Sequence, residues 1–306
     1  MMIKLRGLVA ATHTPFDADG ELNLAAVEKQ AEHLHRSGVA AVFIGGTTGE
    51  SHSMTVVERL SLAERWTAVA KGSPLTIVVH VGANCLADAR ALAAQAQRLG
   101  TAAIAALAPS YFKPRTLETL VECCCDIVRA APGLPFYYYD IPTLTGVSFS
   151  MPDFLDAAPS RIPTLAGIKF TCADLLGYQC CLRSQDGRYD VLWGLDEYLL
   201  AALALGGLGA VGSSYNFAAP IYLRMIGAFG KGDLITAREE QFRSVRLIRL
   251  LGEFGYMAAA KAVMEMLGVP VGPPRLPNAK LPVGRREELR AALERIGFFD
   301  WIVAGR

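Results

Sequence analysis

The feature of this sequence that most constrains its fold is a series of eight short apolar runs separated by helix-length amphipathic segments. The runs cover residues 7–12, 41–45, 75–81, 102–108, 135–141, 165–171, 189–193 and 209–213. Continuous apolarity is typical of strands that are covered on both faces, and segments such as 24–37, 55–70, 87–99, 117–130 and 197–205 supply the covering helices. Eight β–α units predict an α/β fold, a closed (β/α)8 TIM barrel, although counting alone leaves an open doubly wound sheet as an alternative.

The pattern changes after Pro220, where helical segments follow one another at 221–229, 233–254, 257–267 and 285–296, with a proline-rich hinge at 269–277. No Ser/Gly-rich linker precedes them, and such a linker is what usually separates independent domains. We therefore predict a catalytic barrel domain of residues 1–220 and C-terminal helices, residues 221–306, that pack on the barrel.

The charge and hydropathy of the chain exclude several classes of protein. Lys and Arg number 30 against 29 Asp and Glu, so no basic surface predicts binding to nucleic acid. The amino end has no secretory pattern, and the apolar stretch at 198–213 is shorter than the roughly 20 residues of a membrane span and is interrupted by glycines. We expect a cytoplasmic protein without a membrane span.

A lysine inside the sixth apolar run is the strongest indication of chemistry. Lys169 lies near the carboxyl end of this run, and lysine is rarely buried without a cause. Burial can lower the pKa of a lysine by up to about 3–5 units and so supply a neutral amine, which forms a Schiff base with a carbonyl substrate. A structural lysine that is paired with a carboxylate is the alternative.

Small and polar residues follow the other strands at the end where barrels of this type carry their active groups. Residues 45–51 form a Gly- and Thr-rich loop in which backbone N–H groups at a helix start suit an anion, although backbone geometry alone also explains such a loop. Alternation places Tyr139 on the same side as Tyr137, where it serves either as an acid or base or only in packing. Asp196 and Glu197 suit the hydroxyl groups of a sugar, or they cap the next helix.

Two patterns give weak signals. Residues 207–212 fit the dinucleotide motif G-x-G-x-x-G but run into a strand instead of opening a helix, which argues against a nicotinamide cofactor. His13, His52 and His80 have no acidic partner at the spacing of metal ligands, so we expect packed or hydrogen-bonded histidines and no metal.

Three motifs in this order resemble those of one enzyme family. They are Gly45-Gly46-Thr47-Thr48-Gly49-Glu50, Tyr139-Asp140-Ile141-Pro142 and Gly167-Ile168-Lys169. Over nearly its whole length the chain is similar to the class I pyruvate-dependent aldolases, the superfamily of dihydrodipicolinate synthase and N-acetylneuraminate lyase. Residues 136–139, 194–197 and 209–216 are most similar to the N-acetylneuraminate lyase branch.

The resemblance implies roles for individual residues. Lys169 would form the Schiff base with the keto carbon, Tyr139 would move the proton, and Thr47 and Thr48 would hold the substrate carboxylate. The sugar chain would contact Thr171, Gly194, Asp196, Glu197 and Ser213. No metal or organic cofactor is implied, the partner is a small keto acid, and a homotetramer is expected, with Tyr111 matching a family tyrosine that crosses a subunit contact.

The reaction that the resemblance implies is cleavage of N-acetylneuraminate to N-acetylmannosamine and pyruvate. Dipicolinate synthases place an arginine where this chain has Leu144, whose apolar side chain cannot replace a bidentate contact. Asp140 stands where many relatives have asparagine, which leaves the ionisation of Tyr139 open. The alternatives are another 2-keto-3-deoxy sugar acid aldolase or dehydratase, 4-hydroxy-tetrahydrodipicolinate synthase and, from another class, a non-catalytic sugar-acid sensor on the same fold.

Overall fold

The computed structural model describes residues 4–303, and within that range eight parallel strands close into a barrel in chain order. The strands are β1 (Gly7–Ala11), β2 (Ala41–Ile44), β3 (Thr76–His80), β4 (Ala103–Ala106), β5 (Phe136–Asp140), β6 (Leu165–Phe170), β7 (Asp190–Trp193) and β8 (Gly209–Gly212). Strand β1 pairs with both β2 and β8, which closes the sheet. The predicted (β/α)8 barrel is confirmed, and each strand lies within its predicted run.

The helices that surround the barrel and follow it are more numerous than the sequence predicts. The described residues contain α1 (Ala26–Arg36), α2 (Val56–Ala70), α3 (Leu86–Leu99), α4 (Leu117–Val128), α5 (Pro142–Thr145), α6 (Met151–Ala157), α7 (Leu175–Arg183), α8 (Leu199–Ala204), α9 (Tyr215–Gly230), α10 (Leu234–Glu253), α11 (Tyr256–Met266), α12 (Arg285–Ile296) and α13 (Phe298–Trp301). The prediction omitted α5, α6, α7 and α13, which have four to nine residues each. Ser150 and Asp174 cap α6 and α7 through their side chains.

Alternating side chains of the strands divide the buried residues into two groups. Side chains such as Val9, Phe43 and Tyr137 fill the inside of the barrel, whereas the larger group lies between the strands and the helices. Along β5 the alternation turns Tyr139 inward, and Tyr138 outward against the other group. The inward residues nearest the carboxyl ends of the strands therefore face the mouth of the barrel.

The C-terminal helices pack on the barrel at this mouth. Helix α9 packs against β1 and α10, and its backbone is kinked at Ala218, two residues before Pro220. Gln241 of α10 donates a hydrogen bond of 3.2 Å to the backbone carbonyl of Asp196, in a 3₁₀ turn (Asp196–Tyr198) that precedes α8. Because α9 crosses position 220, the division of the chain into 1–220 and 221–306 stays a prediction.

Between residues 4 and 303, no helix combines the length and the apolarity that crossing a bilayer would require. Residues 1–3, which belong to the amino-terminal segment considered above, lie outside the described residues, as do the last three positions of the chain.

Candidate active site

A cavity of about 280 Å³ opens at the carboxyl ends of the strands. All nine site residues that the sequence predicts line it: Thr47, Thr48, Tyr139, Lys169, Thr171, Gly194, Asp196, Glu197 and Ser213. They come from the ends of five different strands, which the closed barrel brings to one place.

Lys169 extends from β6 into the interior of the barrel and is only 4% exposed. Its Nζ lies 3.8 Å from the ring centroid of Tyr139 and 4.4 Å from that of Phe43. Among residues 4–303 no carboxylate lies within 4 Å of this nitrogen. The alternative of a structural lysine paired with a carboxylate is therefore not what the structure shows.

Tyr139 is the neighbour of Lys169 across the β5–β6 pairing. Its hydroxyl lies 3.1 Å from Thr47 Oγ1, within hydrogen-bond distance, and its ring meets the ring of Phe43 edge to face at 5.6 Å. The contact with Phe43 thus fixes the buried ring of Tyr139, while its hydroxyl lies at the cavity wall. A phenol in this position is able to exchange protons with a molecule bound at Lys169.

The loop at residues 45–51 presents hydroxyl groups but not the helix start that the sequence predicts. Ser51–Ser53 is a single 3₁₀ turn, and the next long helix, α2, begins only at Val56. The N–H of Ser51 is bonded within the loop, to the carbonyl of Gly46 at 3.2 Å. The polar side chains that the loop offers to an anion in the cavity are those of Thr47 and Thr48.

A buried histidine lies under this loop and under the tyrosine. The Nδ1 of His80 lies 2.9 Å from the carbonyl oxygen of Gly45, and its ring packs edge-on against Tyr139 at 5.8 Å. Burial, with the nearby Arg59 guanidinium, lowers the pKa of His80 well below its usual value, so the imidazole is neutral and Nδ1 is able to donate to that carbonyl. The Arg59 guanidinium donates to the carbonyls of His80 and Gly82 at 2.8 and 3.0 Å.

The two acids after β7 have different surroundings. Asp196 is 5% exposed and accepts a hydrogen bond of 2.9 Å from the backbone N–H of Ser214, and a second from its hydroxyl. Burial raises the pKa of Asp196 to about 6, although the bonds from Ser214 oppose this. Glu197 has no hydrogen-bond or ion-pair partner among the described residues, which leaves its carboxylate available to a ligand. Neither side chain makes a capping hydrogen bond at α8, although both acids lie in the 3₁₀ turn that leads directly into this helix.

The glycine after β7 shapes the cavity wall. A Cβ atom at Gly194 would lie 2.0 Å from Thr171 Oγ1, far inside van der Waals contact. Thr171 Oγ1 is itself buried and has no hydrogen-bond partner among residues 4–303. Glycine at this position therefore allows a hydroxyl group to lie at the cavity wall with its hydrogen-bonding capacity unused.

Sequence reasoning missed two lining residues of the C-terminal helices, Ile248 of α10 and Tyr256 of α11. The Tyr256 hydroxyl lies 2.7 Å from Ser213 Oγ. No signal in the strand ends points to either residue, because they reach the cavity only through the packing of the extension on the barrel. The walls are completed by Ala11, Ile141, Leu195 and Val211.

Three residues that the sequence singled out lie outside the cavity. Asp140 points away from it, into a separate hollow of about 190 Å³ that Asp174 also lines, so its carboxyl does not share the cavity with Tyr139. Leu144 is 62% exposed and Tyr111 is 78% exposed at the surface. Within residues 4–303 no cluster of three or more His, Cys, Asp or Glu is arranged to hold a metal ion.

Comparisons with known proteins add to this geometry. Residues 4–296 match the dihydrodipicolinate synthetase family. The chain belongs to this family. It is similar to the N-acetylneuraminate lyase of Gallus gallus, with 41% identity over 305 residues that cover 97% of this chain and 98% of that protein. The lyase of Rattus norvegicus is 39% identical over 302 residues, 97% of this chain and 94% of that protein.

Solved structures of N-acetylneuraminate lyases agree with the fold. The structure of Proteus mirabilis N-acetylneuraminate lyase is similar with a TM-score of 0.94 and 40% identity, covering 97% of this chain and all of that one. The sialic acid aldolase of Aliivibrio salmonicida also has a TM-score of 0.94, at 42% identity, covering 97% of this chain and 98% of that one. Membership of the family indicates that the chain is a class I aldolase, a lyase.

Proposed function

We propose that this enzyme cleaves N-acetylneuraminate to N-acetylmannosamine and pyruvate through a Schiff base on Lys169. The observation that carries the proposal is the buried amine of Lys169, 3.8 Å from the Tyr139 ring and without a carboxylate partner among residues 4–303. The lyases of Gallus gallus and Proteus mirabilis, which this chain resembles over nearly its whole length, support the choice of substrate.

The first half of the reaction joins the substrate to the enzyme. The amine of Lys169 attacks the C2 ketone of the open-chain sugar acid, whose carboxylate lies against Thr47 and Thr48. Tyr139 then donates its proton to the departing C2 hydroxyl, which leaves as water. The products of this step are an iminium cation at Nζ and a phenolate at Tyr139, and the cation is stabilised by the nearby aromatic rings.

The second half breaks the carbon–carbon bond. The Tyr139 phenolate accepts the proton of the C4 hydroxyl as the C3–C4 electron pair moves to the iminium, so N-acetylmannosamine leaves as the aldehyde and a neutral enamine remains. Tyr139 returns the proton to C3 and becomes a phenolate again. Water then adds to the iminium carbon and gives a proton back to Tyr139, and pyruvate leaves the regenerated amine of Lys169.

Trapping with borohydride tests this mechanism. Reduction of the enzyme with pyruvate should add one reduced pyruvate unit to Lys169, which mass spectrometry of the peptides will locate. An unmodified Lys169 would contradict the Schiff base and favour a sugar-acid sensor. Pyruvate release is then measured with N-acetylneuraminate and with other 2-keto-3-deoxy sugar acids, and a faster reaction with one of the latter would contradict the proposed substrate.

We also propose that the enzyme is a cytoplasmic homotetramer, as its resemblance to the family implies. Exposed aromatic side chains support an association between subunits, since Tyr111 and Phe112 are 78% and 86% exposed and pack edge to face at 5.1 Å. Sedimentation velocity should give the mass of four chains, and a monomer would contradict this proposal.

A further inference from the structure

Tyr256 is the polar cavity residue that the family motifs do not account for. It is the first residue of α11, after Gly255, and it reaches the cavity from the C-terminal helices instead of from a strand. Its hydroxyl and that of Ser213, which follows β8, lie 2.7 Å apart. Two hydroxyl groups on separate elements therefore meet at one wall of the cavity.

This hydroxyl pair has hydrogen-bonding capacity to spare. Each hydroxyl has one hydrogen and two lone pairs, and the bond between them uses one hydrogen and one lone pair. Burial raises the pKa of Tyr256, with the neighbouring Asp196 and Glu197 adding to the effect, so the phenol keeps its hydrogen at neutral pH. One hydrogen and several lone pairs stay available, which is what a hydroxyl group of a ligand requires.

The position of the pair identifies the part of the substrate that it meets. In the proposed function the keto carbon is bound at Lys169, beside Tyr139 and Phe43, and the carboxylate lies against Thr47 and Thr48 after β2. Thr47 is also the residue whose hydroxyl contacts Tyr139 of β5, so the carboxylate end lies on the β2 and β5 side. The remaining carbons therefore extend towards the opposite wall, which β7, β8 and the C-terminal helices form. The last hydroxyl-bearing carbons of the chain meet that wall.

We propose that Tyr256 is a specificity-determining residue that binds, together with Ser213, the terminal hydroxyl groups of the sugar acid. This inference rests on the proposed function. Sites that hydrogen-bond a substrate hydroxyl discriminate against analogues that lack it, because their own buried polar groups are then left unpaired. The C-terminal helices thus discriminate between substrates by chain length, while the barrel supplies the amine of Lys169 and the phenol of Tyr139.

The test compares two substrates in the wild type and in Tyr256→Phe, which removes only the hydroxyl. The substrates are N-acetylneuraminate and a seven-carbon analogue that lacks its last two carbons. We expect wild-type kcat/KM to be about tenfold higher for the full-length substrate, the size of effect typical of a lost hydrogen bond, and Tyr256→Phe to lose this preference. Trapping of pyruvate at Lys169 should be unchanged in the variant.

Tyr198→Phe is the matched control, because it makes the same change at a tyrosine that is 50% exposed and lies outside the cavity, next to the cavity residue Glu197. It should keep the wild-type preference. In the double variant Tyr256→Phe with Ser213→Ala, kcat/KM for N-acetylneuraminate should fall by less than the product of the two single-variant factors, since both hydroxyls bind the same group of the substrate.

Two results would overturn the inference while leaving the proposed function intact. One is a Tyr256→Phe variant with wild-type kcat/KM values for both substrates, and the other is a variant in which kcat/KM falls by the same factor for both substrates. A wild-type enzyme that releases pyruvate from neither substrate contradicts the proposed function, and this inference with it.

Discussion

Two lysines of this chain are almost completely buried, and their surroundings differ in one decisive respect. Lys169 at the barrel mouth is 4% exposed, and no carboxylate of residues 4–303 lies within 4 Å of it. Lys261 on α11 is 1% exposed and forms an ion pair with Glu50 at 2.7 Å. Burial lowers the pKa of Lys261, and the Glu50 carboxylate opposes this shift. Lys261 thus has a fixed carboxylate partner, and Lys169 has none within 4 Å among residues 4–303.

The paired lysine belongs to a joint between the loop at residues 45–51 and the proline-rich segment. Glu50 also accepts hydrogen bonds from the backbone N–H of Arg275 at 2.8 Å and from Asn278 Nδ2 at 3.2 Å. The Arg275 guanidinium pairs in turn with Glu58 near the start of α2. The segment predicted to be a hinge is therefore a fixed attachment that supports the loop carrying Thr47 and Thr48.

The difference between the two lysines distinguishes a structural role, for Lys261, from a catalytic role, for Lys169. A buried ion pair whose carboxylate also accepts hydrogen bonds from a neighbouring segment holds two elements together, and removing one partner leaves the other charge uncompensated. Burying an amine without a counter-ion destabilises the folded protein, and a catalytic role explains why the residue is there. The same substitution at the two positions should therefore have opposite consequences.

The largest effect is expected for Lys169→Met. Catalysis should fall by more than about 10³-fold, because no other amine takes the place of the nucleophile. The free energy of unfolding should stay equal or rise by about 1 kcal/mol, since an unpaired buried amine is replaced by an apolar side chain of similar size. Pyruvate release and urea denaturation measure the two quantities.

A Lys169→Met enzyme that keeps a tenth of the activity would contradict the role of the amine. A loss of stability would remove the contrast with Lys261, because it would show that Lys169 also supports the fold.

The next effect concerns Lys261→Met, which makes the same change at the paired lysine. The free energy of unfolding should fall by about 3–5 kcal/mol, because the carboxylate of Glu50 stays buried without its cation. Urea denaturation at pH 7 measures the loss, and the double variant with Glu50→Gln should recover most of it. If the single variant is as stable as the wild type, the ion pair does not hold the joint together.

Much of the barrel could be predicted from the sequence because parallel strands covered on both faces leave a signal that does not depend on contacts far away in the chain. The runs at 135–141 and 165–171 contain β5 and β6 completely. The short helices α5, α6 and α7 between β5 and β7 gave no comparable signal, because so few turns carry little amphipathic pattern. For α6 and α7 the capping residues Ser150 and Asp174 were the available evidence, and α5 has no side-chain cap.

The lining of the cavity was predictable where its residues end strands and not where they come from elsewhere. Strand order implies that β5 and β6 pair, which brings Tyr139 close to Lys169, whereas the register that sets them directly opposite includes a shift between Phe136 and Tyr137 that only the structure shows. Tyr256 and Lys261 belong to α11, whose packing against the barrel no local pattern reveals. Lys261 lies in an apolar context, Ala258-Ala259-Ala260-Lys261-Ala262-Val263, much as Lys169 does, and only the structure shows which of the two has an acidic partner.

The smallest effect extends the comparison to a buried acid, Asp140, which is 4% exposed and whose carboxyl has no hydrogen-bond or ion-pair partner among residues 4–303. Burial, with Asp174 nearby, raises the pKa of Asp140 to about 7, whereas an aspartate in an unfolded chain titrates near 3.9. Between about pH 4 and pH 7 the unfolded chain therefore binds fewer protons than the folded one, and this residue's contribution to stability falls as the pH rises.

Asp140→Asn removes this charge, so the variant should be more stable than the wild type by about 2 kcal/mol at pH 8, and the difference should vanish near pH 4. Denaturation of both proteins across this range measures the difference. Buried histidines such as His13, whose pKa burial lowers to about 3, destabilise both proteins equally in acid and cancel from the comparison. A difference that is constant with pH would show that Asp140 is neutral or compensated throughout. The contrast between buried ionisable groups with and without a partner would then rest on the lysines alone.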